Sequence, residues 1–159
     1  MDDAKTAFPT TGLRKLGISE ATAFFAAFSR FEFALKRAGY LRNKDIADAD
    51  WDRFAGSLDQ AFLDEVRVAK FAQETLAKPP GKPIRKGDIV DWREAPPIEN
   101  VQGLFIAIRQ ARNNLFHGEK FIGDGVKDSR DRRLLADGLA VLELALTKCE
   151  KTRRAFAGG

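Results

Sequence analysis

Histidine, cysteine, tyrosine and methionine each occur once in these 159 residues, and the scarcity of each narrows what the chain can do. One cysteine, Cys149, permits no intrachain disulfide and fits a reducing compartment, where it reads as a small apolar residue on the last helix. One histidine, His117, and that distant cysteine cannot supply the clustered ligands of a zinc site, and no carboxylate precedes Glu119 in the surrounding run. Neither a metal nor a cofactor is expected. No apolar run reaches membrane-spanning length and the first residues carry no apolar leader core, so a cytoplasmic protein without membrane attachment is expected. Of the six prolines, Pro9 lies in the start of the chain, while Pro79, Pro80, Pro83, Pro96 and Pro97 bracket a stretch that cannot be continuous helix. No repeat period is visible.

What is present is a hydrophobic fraction of 44%, enough for one core and against disorder. Residues 1–14 are expected to be flexible and residues 15–155 to form a single helical domain. Apolar residues recur at three- and four-residue steps in four blocks. The first, about 19 to 39, is opened by Ser19 and Glu20 and carries Phe24, Phe28, Phe31, Leu35 and Ala38. The second, about 49 to 77 with a bend at Gly56-Ser57, carries Trp51, Phe54, Leu58, Phe62, Val66, Ala69, Gln73 and Leu76. The third, about 98 to 117, carries Val101, Leu104, Phe105, Ile108, Ala111 and Leu115 between Asn100 or Glu99 and Gly118. The fourth, opened by Asp128 or Ser129, carries Leu135, Gly138, Leu142, Ala145 and Cys149 to about 154. The expected fold is all-α, an up-and-down bundle of four to five helices, with a Pro-rich loop or short hairpin between the second and third main helices. In that interruption, Arg85, Lys86, Trp92 and Arg93 suit stacking on an unpaired base beside a phosphate. The plainer alternative has Trp92 and Ile89 capping the bundle.

The run Arg112-Asn113-Asn114-Leu115-Phe116-His117-Gly118 concentrates the chemistry. A histidine titrates near neutral pH and suits proton transfer, and the guanidinium and amides around it bind oxyanions or phosphate. Arg112 falls inside the apolar stripe of its helix and needs a partner; Glu32, on the edge of the first helix face beside Phe25, is expected to form an ion pair with it. Asn113 and His117 share a flank four residues apart. Five residues turn an α-helix by about 500°, leaving Arg112 and His117 roughly 140° apart. Either the last turn unwinds at Gly118, or residues of two subunits meet across a two-fold axis, where a second copy supplies a second imidazole. The alternative is structural: a histidine at a helix C-terminus as a dipole partner, and an arginine as an ion-pair member.

The Arg-x4-His pattern at a helix end, together with Phe28-Ser29-Arg30-Phe31-Glu32-Phe33-Ala34-Leu35-Lys36, resembles a prokaryotic HEPN domain across roughly residues 15–155. That superfamily of small helical dimers includes many RNases. The resemblance implies a metal-independent endoribonuclease, a toxin or defence effector with RNA as substrate, a homodimer, and an antitoxin protein as a further partner. His117 would be the proton shuttle, Arg112 the phosphate ligand and Asn113 the residue that orients them, with Glu32 and Asn114 in support. The alternative is a HEPN-like dimer that binds RNA, nucleotide or a partner protein without cutting. In HEPN toxins silenced by nucleotidyltransferases a Tyr follows the His by two positions; here Glu119 stands there, and the sole tyrosine, Tyr40, ends the first helix.

Charge is uneven under a net of +4. Residues 45–65 hold seven acids (Asp45, Asp48, Asp50, Asp52, Asp59, Asp64, Glu65) against Arg53, leaving +10 elsewhere by difference. Arg109, Lys120, Arg130, Arg132 and Arg133 lie around the motif and are expected to contact RNA.

Overall fold

The first apolar stripe forms α1 (Glu20–Arg37), which buries Phe24, Phe28, Phe31 and Leu35 on one face. Its end is a Schellman motif: with Gly39 in the left-handed region at φ 89°, the Gly39 amide donates to Lys36 O and the Tyr40 amide to Leu35 O. The computed structural model of the chain describes residues 20–116 and 129–158. Asp50 then caps α2 (Trp51–Ala69), its carboxylate accepting from the Arg53 amide at 2.9 Å.

The expected long second helix is divided. It bends at Asp59 (φ 57°, ψ −178°), three residues beyond Gly56, and the Asp59 carboxylate accepts from the Ala61 amide to cap the second half. It then stops at Lys70, whose left-handed backbone (φ 58°) lets its own amide and that of Phe71 close back on Arg67 O and Val66 O. Only a five-residue α3 (Gln73–Ala77) follows before Pro79-Pro80. The interruption is the hairpin option: β1 (Lys82–Lys86) pairs antiparallel with β2 (Ile89–Arg93) through a two-residue turn at Gly87-Asp88, with Pro83 opposite Trp92 and Arg85 opposite Val90. Ile89, 66% exposed, caps nothing, whereas Trp92, 42% exposed, lies at the edge of the bundle beside residues of the next two helices in the chain.

Asn100 opens α4 (Val101–Phe116), its side chain accepting from the Gly103 amide at 2.8 Å. The stripe Val101, Leu104, Phe105, Ile108, Ala111 and Leu115 is buried as the spacing predicts. α5 (Ser129–Lys148) follows, with Leu135, Leu142 and Ala145 buried. Gly138 is required by α1: a β-carbon there would stand 2.7 Å from the Phe24 ring. The fourth block does not run on through Cys149. That residue is extended (φ −127°, ψ 101°) and joins α5 to α6 (Glu150–Ala157), which turns back onto α1 with Phe156 buried.

The described chain is thus mostly helical with one two-stranded sheet; its six helices exceed the expected four to five because two blocks break, at Lys70 and at Cys149. α2 packs on α4, and α1 on α5 and α6. Between them lies an aromatic core in which Trp51 stacks on Phe28 and Phe31, and Phe54 and Phe62 meet Phe105. Among the described residues no helix is long and apolar enough to cross a membrane.

Candidate active site at the end of the fourth helix

Arg112 sits one turn before the end of α4, on the face turned to the first half of α1. Its guanidinium carbon lies 5.9 Å from the Phe25 ring centroid, 5.4 Å from Phe28 and 5.4 Å from Phe116. Phe25 and Phe116 stack on each other at 5.8 Å, closing the cage. Ring faces carry negative charge density, so three of them stabilise a half-buried cation, each by about 0.5–2 kcal/mol according to its desolvation. Nη1 donates to the Asn113 side-chain oxygen at 2.9 Å, and the buried Nε has no hydrogen-bond partner among the described residues.

The expected ion pair between Glu32 and Arg112 is not formed. Glu32 accepts instead from the indole N–H of Trp51 at 3.0 Å. The helix face was legible, but the level was not: Glu32 lies one turn beyond Phe28, where α2 enters, while Arg112 is level with Phe25 and Phe28. Aromatic faces rather than a carboxylate meet the guanidinium, so its positive charge faces no acid within ion-pairing distance among the described residues.

Asn113 is half-buried and bound to Arg112. Asn114 is only 3% exposed and has structural work. Its Nδ2 donates to Gly81 O at 3.0 Å and its Oδ1 accepts from Gln110 at 2.7 Å, tying the base of the hairpin to α4. Gly81 must be glycine there, since a β-carbon would lie 2.8 Å from Arg93 O. His117 and Lys120, the expected proton shuttle and an expected RNA contact, lie outside the described residues.

The remaining basic residues divide. Arg130 and Arg133 approach opposite oxygens of the Glu74 carboxylate, each at 3.0 Å, and so fasten the start of α5 to α3 instead of standing open to a ligand. Arg132 is exposed on the same turn. Arg109, half-buried on α4, forms no hydrogen bond or ion pair among the described residues. It shares a strip of α4 with Ile106, Asn113 and Phe116, and both apolar members are largely exposed, at 55% and 59%. The contributions of Phe25, Phe116 and Glu74 had no separate signal in the sequence, because apolar spacing marks a face without naming the cation it meets.

Two titratable groups away from the motif are displaced from their ordinary values. Burial pushes the Asp137 carboxyl up, against two hydrogen bonds that one of its oxygens accepts from the Thr75 amide (2.8 Å) and hydroxyl (2.9 Å). Burial also acts to raise the Cys149 thiol, but the Thr152 hydroxyl at 3.2 Å, neighbouring amides and the Tyr40 hydroxyl outweigh it and hold the thiol below its usual value.

Comparison of the chain with protein-family models, with curated proteins and with solved structures returns no match.

Proposed function

We propose that the chain is a metal-independent endoribonuclease of the HEPN kind, a homodimeric toxin or defence effector of the cytoplasm. One observation carries the reading: a guanidinium at the end of α4, bound to an amide and offset by no acid among the described residues, five positions before the only histidine. A phosphoryl oxygen gathering charge in a transition state needs such a preorganised cation, and a caged arginine loses little freedom on binding it. RNA supplies the nucleophile. The 2′-oxygen attacks phosphorus as His117 or its copy takes the proton, and the P–O5′ bond breaks as the second imidazole protonates the leaving oxygen. A 2′,3′-cyclic phosphate and a 5′-hydroxyl result.

A dimer suits this chemistry, because one chain holds one imidazole. Ile106, Arg109, Asn113 and Phe116 recur at steps of three, four and three, the spacing of a seam between two helices, and the next residue is His117. Two copies joined along α4 would bring both histidines to one groove. The pairing of α2 with α4 and of α1 with α5 supports an up-and-down bundle behind that seam.

The second reading is a HEPN-like dimer that binds RNA, nucleotide or a partner protein without cutting, and the cage favours it to this extent: three rings give Arg112 a structural task independent of any reaction. The deciding experiment incubates the purified protein with single-stranded RNA in EDTA. Cleavage to cyclic phosphate ends, lost in His117→Ala and reduced in Arg112→Lys, is expected. Binding with no cleavage would establish the second reading, and cleavage unaffected by His117→Ala would overturn the first.

A further inference from the structure

A cavity of about 560 Å³ opens between the Pro79-Pro80 corner, the base of β2 and the facing sides of α4 and α5. That volume lies within the range of about 300–1,000 Å³ typical of small-molecule sites. Trp92 forms part of its wall with 42% of its surface accessible, and Leu115 of α4 and Leu135 of α5 also line it. Lys78 and Arg93 stand at its edge, both exposed and neither in an ion pair among the described residues. Two acids, Glu94 and the buried Asp131, and Arg130, which is paired with Glu74, also line it. The Asn114 clamp on Gly81 holds this corner to the last turns of α4. On that helix Ala111, Asn114 and Leu115 face the cavity, while Arg112 and Phe116 face α1.

The hairpin register extends the wall. Trp92 lies opposite Pro83, and Val90, 58% exposed, follows on the same side of the ribbon. The surface is therefore an aromatic and apolar platform running outward from a cleft of mixed polar and apolar lining, with the cations Lys78 and Arg93 at its edge. An apolar peptide would be served by the walls alone and would gain nothing from Lys78 and Arg93. A planar, weakly polar ring joined to an anion uses both.

We propose that this cavity is a base-binding subsite for an unpaired nucleotide of a single-stranded RNA, with the base against Trp92 and its phosphate at Lys78 and Arg93. This rests on RNA as the ligand of the neighbouring motif, and it makes the cavity a determinant of where a strand lies along α4. Stacking is tolerant of base identity because every base has a π-face, so the subsite selects strandedness before sequence.

The two tryptophans make the test direct. Trp51 is 1% exposed and Trp92 is 42% exposed, so a ligand in the cavity changes the emission of Trp92 and leaves that of Trp51 in place. The His117→Ala protein, which keeps the strand whole, is titrated with a ten-nucleotide oligoadenylate, with adenosine monophosphate, with a duplex of the same length and with a proline-rich peptide. Quenching of Trp92 by the oligonucleotide, at concentrations well below those needed for the mononucleotide or the duplex, is expected. Trp92→Ala should weaken oligonucleotide binding by roughly tenfold or more, read by anisotropy of a labelled strand, with Trp92→Phe restoring most of it. Lys78→Ala and Arg93→Ala should each flatten the salt dependence of binding. Unchanged emission, equal affinity in Trp92→Ala, mononucleotide binding as tight as the strand, or quenching by the peptide alone would each overturn the subsite. RNA cleavage by the parent together with full-strength binding by Trp92→Ala removes the subsite and leaves the ribonuclease reading. Trp92-dependent binding in a parent that cleaves nothing does the reverse.

Discussion

The Arg112 guanidinium lies 5.4 Å from the centroid of the Phe28 ring, while Glu32, the next residue but three along the same helix, holds the indole of Trp51. The carboxylate expected to neutralise the motif arginine is thereby committed elsewhere, and the cation is held by rings that do not cancel its charge. The cage makes Arg112 both a packing residue and a candidate phosphate ligand.

A double-mutant cycle on Glu32→Gln and Arg112→Gln, read by urea unfolding, should therefore show a coupling within about 0.5 kcal/mol of zero. The cycle on Arg112→Gln and Phe28→Leu should show a coupling of about 0.5–2 kcal/mol. A large coupling with Glu32 would contradict the cage.

Charging the α4 strip should separate the copies. Ile106→Asp is expected to halve the sedimenting mass at micromolar concentration and to abolish cleavage while leaving helical content unchanged, since that side chain is exposed and lies outside the Arg112 cage. A parent that sediments as a monomer, or a variant that stays a dimer, would remove α4 as the interface.

Asp137 should give a pH signature of defined sign. Its pKa is raised in the folded protein, so the native state holds the proton more tightly than the unfolded chain. The stability it contributes is complete below the ordinary aspartate value of 3.8 and is lost as pH rises through the raised one. Relative to the parent, Asp137→Asn should gain stability as pH climbs from that value towards neutrality, because an amide oxygen still accepts from Thr75 without carrying charge. A difference in unfolding free energy that stays flat with pH, or runs the other way, would contradict this.

Cys149 should alkylate with iodoacetamide at a midpoint below the ordinary thiol value of 9.0, and Thr152→Val should move that midpoint upward. A midpoint at or above 9.0 in the parent would show that burial, and not the Thr152 hydroxyl, governs the thiol.

Much of this was legible in order of residues alone. Phe24, Phe28, Phe31 and Leu35 on α1, and all six stripe positions of α4, are buried as their spacing requires, because helical periodicity is a local property that survives into any packed fold. Asn100 capped its helix as its chemistry predicts, and the prolines marked the hairpin. The breaks were not legible. Gly56-Ser57 offered the weaker backbone, yet the bend falls at Asp59. The half before it packs Trp51 and Phe54 on α1 and the half after it packs Phe62 on Phe105, so tertiary contacts place the joint. The same holds at the site. The sequence by itself determined that Arg112 would lie on a buried helix face and need compensation; only the tertiary structure decided between a carboxylate and three rings, because the register of one helix against another is set by the side chains that fill the space between them. Glu32 missed Arg112 by a single turn of α1, and Arg130 and Arg133 turned to Glu74, for the same reason: a wheel gives direction around an axis, and packing gives position along it.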